Sequence, residues 1–413
     1  MAHDGSYEVE WKGQAFPYLP HLSGFNKTEN YGSQRHAHPD GSSSSSHSAA
    51  NSDATTKAGT GTWNGPAPKG FAATAGSSAS APPAAAAQEP QPSSVRLADG
   101  HHMPMVGLGT AGIADASLQV ALEQGYRSLD CASVYGNQAA VGAALTAWVA
   151  SGAGTRDQLF ITSKLWCDDH RPERVSRAAC EKTLADLKCH YLDLYLMHWP
   201  DAFVPGADND VFGTVTIDHT VTIAQTWAAM EALVDEGLVR SLGISNFSVK
   251  QVEDLLAVCR IPPQVNQVEL HPMLPQRKLV GVCFRKGVQC VAYCPLGGGG
   301  YLAVNDLLTH PVVAQVAQLT GRSSAQVLLK WNMQRGVPVI PKASSPAHLQ
   351  DNVRDIFSWS LTSQQKAMLD ALECGKRFCS PPFKDWGNPE EGGPTKMSNL
   401  LAAEATEASK PAS

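Results

Sequence analysis

Four side chains that can exchange or hold protons lie at or just after the ends of three consecutive short apolar runs. They are Asp130, Tyr135, Lys164 and His198. Taken singly, each type has an ordinary role: an aspartate caps a turn, a lysine is solvated, a histidine sits in a core, and a tyrosine packs in a loop. The strands of a parallel barrel all end at one face, where barrel enzymes carry out their chemistry. The positions of the four residues therefore predict one active site.

A phenol, an ammonium, a carboxylate and an imidazole together predict acid–base chemistry on a carbonyl oxygen. A tyrosine has a pKa near about 10, and a nearby ammonium lowers it. Lys164 is suited to be that ammonium, with Asp130 holding it in place, and His198 is suited to hydrogen-bond the substrate oxygen beside Tyr135. Such a site protonates the oxygen while another group delivers hydride to the carbon. The sequence shows no serine elbow, Cys–His pairing signal or metal-ligand spacing, so we expect a bound cofactor to supply the hydride and expect no metal.

The scaffold is predicted by strand-like apolar runs that alternate with helix-like segments. Strands are expected at 106–109, 128–130, 159–164, 192–198, 239–245, 264–269, 288–293 and 339–341. Helices are expected at 117–124, 138–149, 172–187, 223–235, 248–258, 276–286, 311–319, 323–334, 346–353 and 362–372, with Pro172 in a first helical turn. A hairpin at 95–97 and 103–105 is expected to plug one end of the barrel.

Eight strand–helix repeats fit an α/β fold with one closed (β/α)8 TIM barrel better than an open sheet. An open dinucleotide-binding sheet usually carries G-x-G-x-x-G after a strand, and Gly107-Leu-Gly109-Thr110 lacks the third glycine. The four glycines 297–300 follow a strand without opening a helix. They predict either a flexible lid or phosphate-binding segment, or a plain loop.

Composition divides the chain into three parts. Residues 1–92 are rich in Ser, Ala and Pro and poor in large apolar residues, so we expect a disordered low-complexity extension. Residues 93–386 form the predicted barrel, and residues 387–413 a flexible tail. The aromatic residues within the first 25 positions predict either a short docking motif or a plain disordered tail. Acidic residues there and the lack of an apolar core argue against a transit or signal peptide.

Overall charge and cysteine usage exclude several classes of protein. The net charge of −6 and the lack of a basic tract argue against a nucleic-acid partner. No apolar run is long enough to predict a membrane span. The ten cysteines form no C-x-x-C pair, so we expect reduced thiols and a cytoplasmic location.

Further polar residues near predicted strand ends suit a nicotinamide cofactor. Side chains at Ser245, Asn246 and Gln267 could pair with a carboxamide, and the ring of Tyr293 could stack on a flat heterocycle. Lys342 precedes Ser344 and a helix start, where phosphate groups bind.

Several motifs together resemble the aldo-keto reductases, from about Val95 to Trp386. The matching stretches are Gly107-Leu-Gly-Thr110, Leu129-Asp-Cys-Ala-Ser-Val-Tyr-Gly-Asn137, Ser163-Lys-Leu-Trp166, Met197-His-Trp-Pro200, Gly243-Ile-Ser-Asn-Phe247, Val265-Asn-Gln-Val-Glu269, Ala292-Tyr-Cys-Pro-Leu296 and Ile340-Pro-Lys342. The resemblance implies that Asp130, Tyr135, Lys164 and His198 are a catalytic tetrad with Tyr135 as general acid, and that NADPH binds before the substrate. The implied cofactor-binding residues are Gly109, Thr110, Asp130, Ser245, Asn246, Gln267, Tyr293, Pro295, Leu296, Lys342, Ser344, His348 and Asn352. The implied substrate pocket consists of Tyr135, Trp166, His198, Trp199 and Phe203.

Three positions depart from that family's pattern. Ala111 replaces the tryptophan that usually follows Gly-Thr, so one pocket wall is missing and bulkier or different carbonyl substrates are expected to fit. His348 replaces an arginine that helps hold the 2′-phosphate and adenine, and the loop after Tyr293 is short and glycine-rich. We therefore expect NADPH to be preferred over NADH less strongly than is usual in the family, with NADH also usable.

Three functions remain open at this stage. The first is NADPH-dependent reduction of an aldehyde or aldose, or the reverse oxidation of an alcohol, by a monomer whose partner is a small carbonyl compound. The second is a weakly catalytic, cofactor-sensing binding subunit on the same barrel. The third is a lyase or isomerase in which Lys164 forms a Schiff base. The sequence does not identify the substrate.

Overall fold

A computed structural model describes residues 92–172, 176–207, 209, 214–298, 306–384 and 386. The predicted disordered extension before residue 92, its aromatic segment and the predicted tail 387–413 lie outside this part. So do Gly299 and Gly300, two of the four glycines for which either a lid or phosphate-binding segment or a plain loop was predicted. Within the described part, no helix is long and apolar enough to cross a membrane.

An antiparallel hairpin precedes a sheet of seven parallel strands that follow one another in chain order. The hairpin strands are β1 (Ser94–Arg96) and β2 (His102–Pro104), and the sheet consists of β3 (Leu108–Gly109), β4 (Ser128–Asp130), β5 (Phe160–Leu165), β6 (Leu192–Met197), β7 (Val239–Ser245), β8 (Val265–Glu269) and β9 (Gln289–Tyr293). The helices are α1 (Asp115–Glu123), α2 (Gln138–Ala150), α3 (Ser176–Leu187), α4 (Ile223–Asp235), α5 (Val249–Val258), α6 (Arg277–Arg285), α7 (Pro311–Thr320), α8 (Ser324–Met333), α9 (Pro346–Val353) and α10 (Ser363–Asp370).

The segment 338–341 joins the two edge strands of this sheet. Val339 bridges both Val106 and Ala292 in parallel. Its N–H donates to the carbonyl of Met105 (2.9 Å), and the N–H of Ile340 donates to the carbonyl of Ala292 (3.1 Å). These bonds on both sides close the ring, so the predicted (β/α)8 barrel is confirmed.

Two predicted elements differ from the structure. The eighth strand, expected at 339–341, is reduced to bridges at Val339, because Pro338 and Pro341 lack the N–H that a strand ladder needs. Pro172, expected in the first turn of a helix, lies in a turn instead. The described helix begins at Ser176, after residues 173–175, which lie outside the described part.

The apolar strands are buried because they have packing partners on both faces. Every residue of β5, β6 and β8 is buried. The side chains inside the ring, including Leu194, Leu196 and Val291, pack with Leu97 and Met103 of the hairpin region. The carboxylate of Asp99 also accepts a hydrogen bond from the Ser241 hydroxyl (2.6 Å). The predicted role of the hairpin as the barrel's end cap is therefore confirmed.

Local sequence signals fix several helices on the outside of the barrel. Four of them start with a capping box, in which the first polar side chain and a glutamine three residues later satisfy each other's backbone N–H groups. The capping residues are Thr222, Ser248, Ser323 and Thr362. One strand position requires glycine, because a Cβ on Gly243 would lie 2.5 Å from the Leu196 side chain and 2.9 Å from the Val265 carbonyl.

Candidate active site

The four predicted acid–base residues come together at the carboxyl ends of neighbouring strands. Asp130 is the last residue of β4, Lys164 lies one residue before the end of β5, and His198 follows β6 directly. Tyr135 ends a short 3-10 turn after β4. Adjacent parallel strands end at the same face, and this places all four at the mouth of the barrel.

The ammonium of Lys164 is fully buried and surrounded by three oxygen atoms. Its Nζ lies 2.5 Å from Asp130 Oδ1, 2.9 Å from the carbonyl oxygen of Cys131 and 3.2 Å from the Tyr135 hydroxyl. An ammonium has three N–H groups, so each can be directed to one of these oxygens. Buried charges need such complete pairing, and the site therefore holds Lys164 in one position.

Burial sets the protonation states of the tyrosine and the histidine. It raises the pKa of Tyr135 well above its usual value, and the carboxylate of Asp130 raises that pKa further. Burial lowers the pKa of His198 well below its usual value, and the charge of Lys164 and the nearby His170 lower it further. The phenol therefore keeps its proton and the imidazole stays neutral at pH 7. This is the arrangement of a proton donor beside a neutral hydrogen-bonding group.

The Tyr135 and His198 rings face the same space, with centroids 6.0 Å apart and planes at 84°. The Nδ1 atom of His198 is buried without a hydrogen-bond partner. The backbone carbonyl of His198 accepts a hydrogen bond from the Asn246 side chain (3.0 Å). This contact ties the histidine to the next strand end around the barrel.

Aromatic side chains form a wall beside this histidine. The Trp166 ring lies 5.1 Å from His198 and 6.1 Å from Phe203, and the Trp199 ring is stacked against His198 at 6.3 Å. The three predicted apolar pocket residues are thus brought together.

Two further aromatic residues, which were not named in the predicted pocket, complete this wall. Phe383 lies 5.3 Å from Trp199 and 5.1 Å from Phe203, and Trp386 lies 5.9 Å from Trp199. Both come from the chain after α10, where no helical or strand period marks them. Only their aromatic character, close to Pro381-Pro382, could have drawn attention to them.

The predicted nicotinamide-binding residues form a hydrogen-bonded group next to Asp130. The Gln267 amide donates to Asp130 Oδ2 (2.6 Å), and the Ser245 hydroxyl donates to the Gln267 carbonyl (2.8 Å). The Tyr293 hydroxyl donates to Asn246 Oδ1 (2.8 Å). Asn246 has a φ of 64°, a left-handed conformation that is uncommon outside glycine and that turns the chain sharply after β7.

Two loop residues, Thr110 after β3 and Asn137 after the 3-10 turn, are hydrogen-bonded next to Asp130. The Thr110 hydroxyl donates to the carbonyl of Asp130 (2.9 Å), and the Asn137 amide donates to the carbonyl of Thr110 (2.7 Å). Gly109 precedes Thr110, and a Cβ there would lie 3.0 Å from the carbonyl of Ile340. Glycine therefore allows β3 and the closing segment to approach closely.

The predicted phosphate- and adenine-binding residues lie at and before α9. Lys342, Ser344 and His348 are exposed, whereas Asn352 is buried and its amide nitrogen has no partner. Gly112 lies near this lysine, because a Cβ there would be 3.5 Å from Lys342 Nζ. A solvent-facing cation before a helix N-terminus, followed by an unpaired buried donor, fits a phosphate and a heterocycle with acceptor nitrogens.

The remaining predicted cofactor residues, Pro295 and Leu296, lie just after the end of β9. Pro295 is buried and Leu296 half-buried, packed against two core clusters. Among the described residues, no three His, Cys, Asp or Glu side chains are placed to hold a metal ion.

Comparisons with known proteins agree with this architecture. The model of the aldo/keto reductase family matches residues 112–373. The chain is 45% identical over 302 residues to aldo-keto reductase family 1 member A1 of Rattus norvegicus, covering 70% of this chain and 92% of that protein. It is 44% identical over 303 residues to the same member from Homo sapiens, with the same shares covered. A solved structure of the aldose reductase from Schistosoma japonicum superimposes with a TM-score of 0.64 at 39% identity, covering 70% of this chain and 94% of that one.

Proposed function

The chain belongs to the aldo/keto reductase family, whose members are oxidoreductases of carbonyl compounds, and we propose that it is an NADPH-dependent reductase of aldehydes or aldoses. In reverse, the same site would oxidise the alcohol. The observation that carries the proposal is the contact of the Tyr135 hydroxyl with the buried Lys164, which itself pairs with Asp130. It joins a proton donor to a cation that stabilises the donor's conjugate base.

The four residues have separate tasks in this proposal. Tyr135 donates its proton to the substrate's carbonyl oxygen as negative charge develops there. Lys164, 3.2 Å away, stabilises the resulting phenolate, and Asp130 keeps the ammonium charged and in place. His198, neutral because of its burial, donates a hydrogen bond to the same oxygen and orients the carbonyl group. The aromatic wall excludes water from the reacting atoms.

Reduced nicotinamide, when bound, would supply the hydride for the carbonyl carbon. Ser245, Asn246 and Gln267 would hold its carboxamide, and Tyr293 would lie against its ring. Lys342 and Ser344 would bind the 2′-phosphate, and Asn352 would meet the adenine with its unpaired amide nitrogen. The fit of this donor set supports NADPH. NADH is also expected to serve, because His348 supplies no guanidinium to strengthen binding of the 2′-phosphate.

The contacts of Lys164 favour reduction over Schiff-base chemistry. A lysine that forms a Schiff base must present an unprotonated, accessible nitrogen. Lys164 Nζ is instead directed at three oxygens, one of them a carboxylate at 2.5 Å, and its side chain has no exposed surface. These contacts stabilise the ammonium and leave no route for a carbonyl carbon to the nitrogen.

The proposal is tested by aldehyde-dependent oxidation of NADPH, measured with the full chain and a panel of aromatic, aliphatic and sugar aldehydes. We expect turnover with at least one class, and formation of the corresponding alcohol in equal amount. NADPH binding without turnover on any aldehyde would refute the reductase and favour a cofactor-sensing binding subunit. Borohydride trapping of a substrate adduct on Lys164 would instead favour the lyase or isomerase.

A further inference from the structure

The covering segment, residues 378–384 and 386, supplies the part of the aromatic wall that comes from the end of the chain. Phe383 contacts the rings of Trp199 and Phe203, and Trp386 contacts the ring of Trp199. The segment contains no helix or strand, so hydrogen bonds of regular structure do not fix it. Its position must come from contacts with the barrel.

Glu269, the last residue of β8, makes the most buried of these contacts. Its carboxylate accepts from the backbone N–H of Phe378 (2.6 Å, Oε1) and from that of Cys379 (3.0 Å, Oε2). Oε1 also lies 2.9 Å from His271 Nε2, and neither the histidine nor the glutamate side chain is exposed. A buried carboxylate that accepts several N–H bonds is strongly bound to their donors.

Glu269 lies on the same strand as Gln267, one of the predicted nicotinamide-binding residues. Side chains two residues apart in a strand point to the same side. Glu269 therefore lies above Gln267, which donates to Asp130. The carboxylate thus attaches the covering segment to β8, the strand that also carries the predicted nicotinamide contact Gln267.

An ion pair fastens the other end of the covering segment. Lys384 Nζ lies 3.0 Å from Asp201 Oδ2, and only 3% of the lysine side chain is exposed, against 31% of the aspartate. Asp201 lies between Trp199 and Phe203 in the chain and Lys384 follows Phe383, so the ion pair joins the two chain segments that supply these aromatic residues. The guanidinium of Arg377 also lies 3.6 Å from the centre of the Trp386 ring.

We propose that Glu269 is a positioning residue that sets substrate selectivity: by holding residues 378 and 379, it places Phe383 and Trp386 against large apolar substrates. This inference rests on the proposed reductase function. The hydrogen bonds of the Glu269 carboxylate go to the covering segment and His271, not to the four acid–base residues. A small aldehyde that reaches only Tyr135 and His198 is reduced independently of the segment, whereas a bulky aromatic aldehyde gains binding from it.

The test compares Glu269→Gln with Glu231→Gln. Glu231 of α4 is a matched control, because it is a buried carboxylate that also accepts two consecutive backbone N–H bonds, from Arg260 and Ile261 (2.8 Å each). It lies outside the aromatic wall. In Glu269→Gln the amide can accept only through one oxygen, so one of the two N–H groups faces an NH2 group and loses its bond. In Glu231→Gln the remaining oxygen can keep both backbone bonds, which go to Oε1, and the NH2 group instead replaces the oxygen that pairs with the Arg260 guanidinium (3.3 Å).

For Glu269→Gln we expect KM for a bulky aromatic aldehyde to rise on the order of tenfold, the effect of losing a bond to a charged acceptor. We expect kcat, KM for a short aliphatic aldehyde, and NADPH affinity to stay within about twofold of the wild type. Glu231→Gln should lower the unfolding midpoint without changing the ratio of kcat/KM between the two aldehydes. An equal change of that ratio in both variants, or none in Glu269→Gln, would overturn the proposal.

Amide hydrogen exchange gives a readout that does not need turnover. The amides of Phe378 and Cys379 should exchange at least about tenfold faster in Glu269→Gln than in the wild type and in Glu231→Gln. If the wild type reduces no aldehyde, the reductase proposal fails, whereas unchanged exchange refutes the role of Glu269 itself. Should Glu269→Gln not fold, Lys384→Met releases the other end of the segment while leaving Asp201 hydrated. It must lower the same aldehyde ratio, and an unchanged ratio would refute positioning by this segment.

Discussion

Position 348 offers a direct test of how this chain distinguishes NADPH from NADH. His348 lies in the first turn of α9, is exposed, and donates its backbone N–H to the Ser345 hydroxyl (3.2 Å). Replacing its imidazole by a guanidinium leaves that backbone bond in place. The variant His348→Arg therefore changes the chemistry of the side chain without disturbing the start of the helix.

The size of the effect follows from what each side chain offers a phosphate. In the wild type, Lys342 and Ser344 are the nearby donors, and contacts of this kind contribute about 1–2.5 kcal/mol, so the ratio of kcat/KM for NADPH over NADH should stay under about a hundredfold. An arginine adds two parallel N–H bonds to phosphate oxygens. At an exposed site these contribute about 1.4 kcal/mol, which raises the ratio about tenfold.

The assay measures kcat/KM for both cofactors at one saturating aldehyde concentration. Gln350→Arg is the matched control, because residue 350 is also exposed on α9. It lies two positions after residue 348, so its side chain leaves the helix in a different direction. We expect the whole change in His348→Arg to come from NADPH, with NADH unaltered. A wild-type preference of about a hundredfold or more would refute the reasoning, as would an equal response in Gln350→Arg.

Three further outcomes follow from the buried groups of the site. Lys164→Met leaves the Asp130 carboxylate with only the Gln267 amide, so we expect urea unfolding to show a loss of about 3–5 kcal/mol and kcat to fall at least about a hundredfold; near wild-type stability would contradict the pairing described for this ammonium. His170 has its pKa lowered from 6.5 to about 4, chiefly by burial. The unfolded chain therefore takes up a proton below pH 6.5 that the folded chain refuses until about pH 4, so stability is lost as pH falls through that window, by roughly 3 kcal/mol. His170→Gln should flatten this loss, and an identical pH dependence in both proteins would exclude His170 as its source. The pKa of His198 is lowered well below its usual value, so the imidazole should not titrate between about pH 6 and 8. We therefore expect the profile of kcat/KM against pH to have the same shape in the wild type and in His198→Gln over this range. A change of kcat/KM with pH that is present in the wild type and lost in His198→Gln would show that the imidazole titrates during turnover.

The sequence was sufficient to predict the barrel and the meeting of the acid–base residues, because both follow from local pattern. Buried parallel strands are short and apolar, and a polar residue at such a strand's end has only one face of the barrel to occupy. Asp130, Lys164 and His198 could therefore be grouped before any distance was known. The eighth strand was drawn too long because Pro338 and Pro341 break a ladder that the apolar pattern alone suggests.

The covering segment could not be placed in the same way. Its residues have no repeating period, and its position depends on Glu269, more than a hundred residues earlier in the chain. A glutamate at the end of a strand usually faces solvent. Only the packed structure shows that this one is buried and bound to backbone amides, and that Phe383 and Trp386 belong to the aromatic wall.

The central claim, that Tyr135 donates the proton to a carbonyl oxygen, is tested most directly by comparing Tyr135→Phe with Tyr195→Phe. Tyr195, on β6, is fully buried in the main hydrophobic cluster and makes no hydrogen bond to the acid–base residues, so loss of its hydroxyl should leave turnover unchanged. We expect Tyr135→Phe to lower the rate of aldehyde-dependent NADPH oxidation by about a hundredfold to ten-thousandfold while NADPH still binds. Turnover in Tyr135→Phe equal to that of Tyr195→Phe would contradict the account.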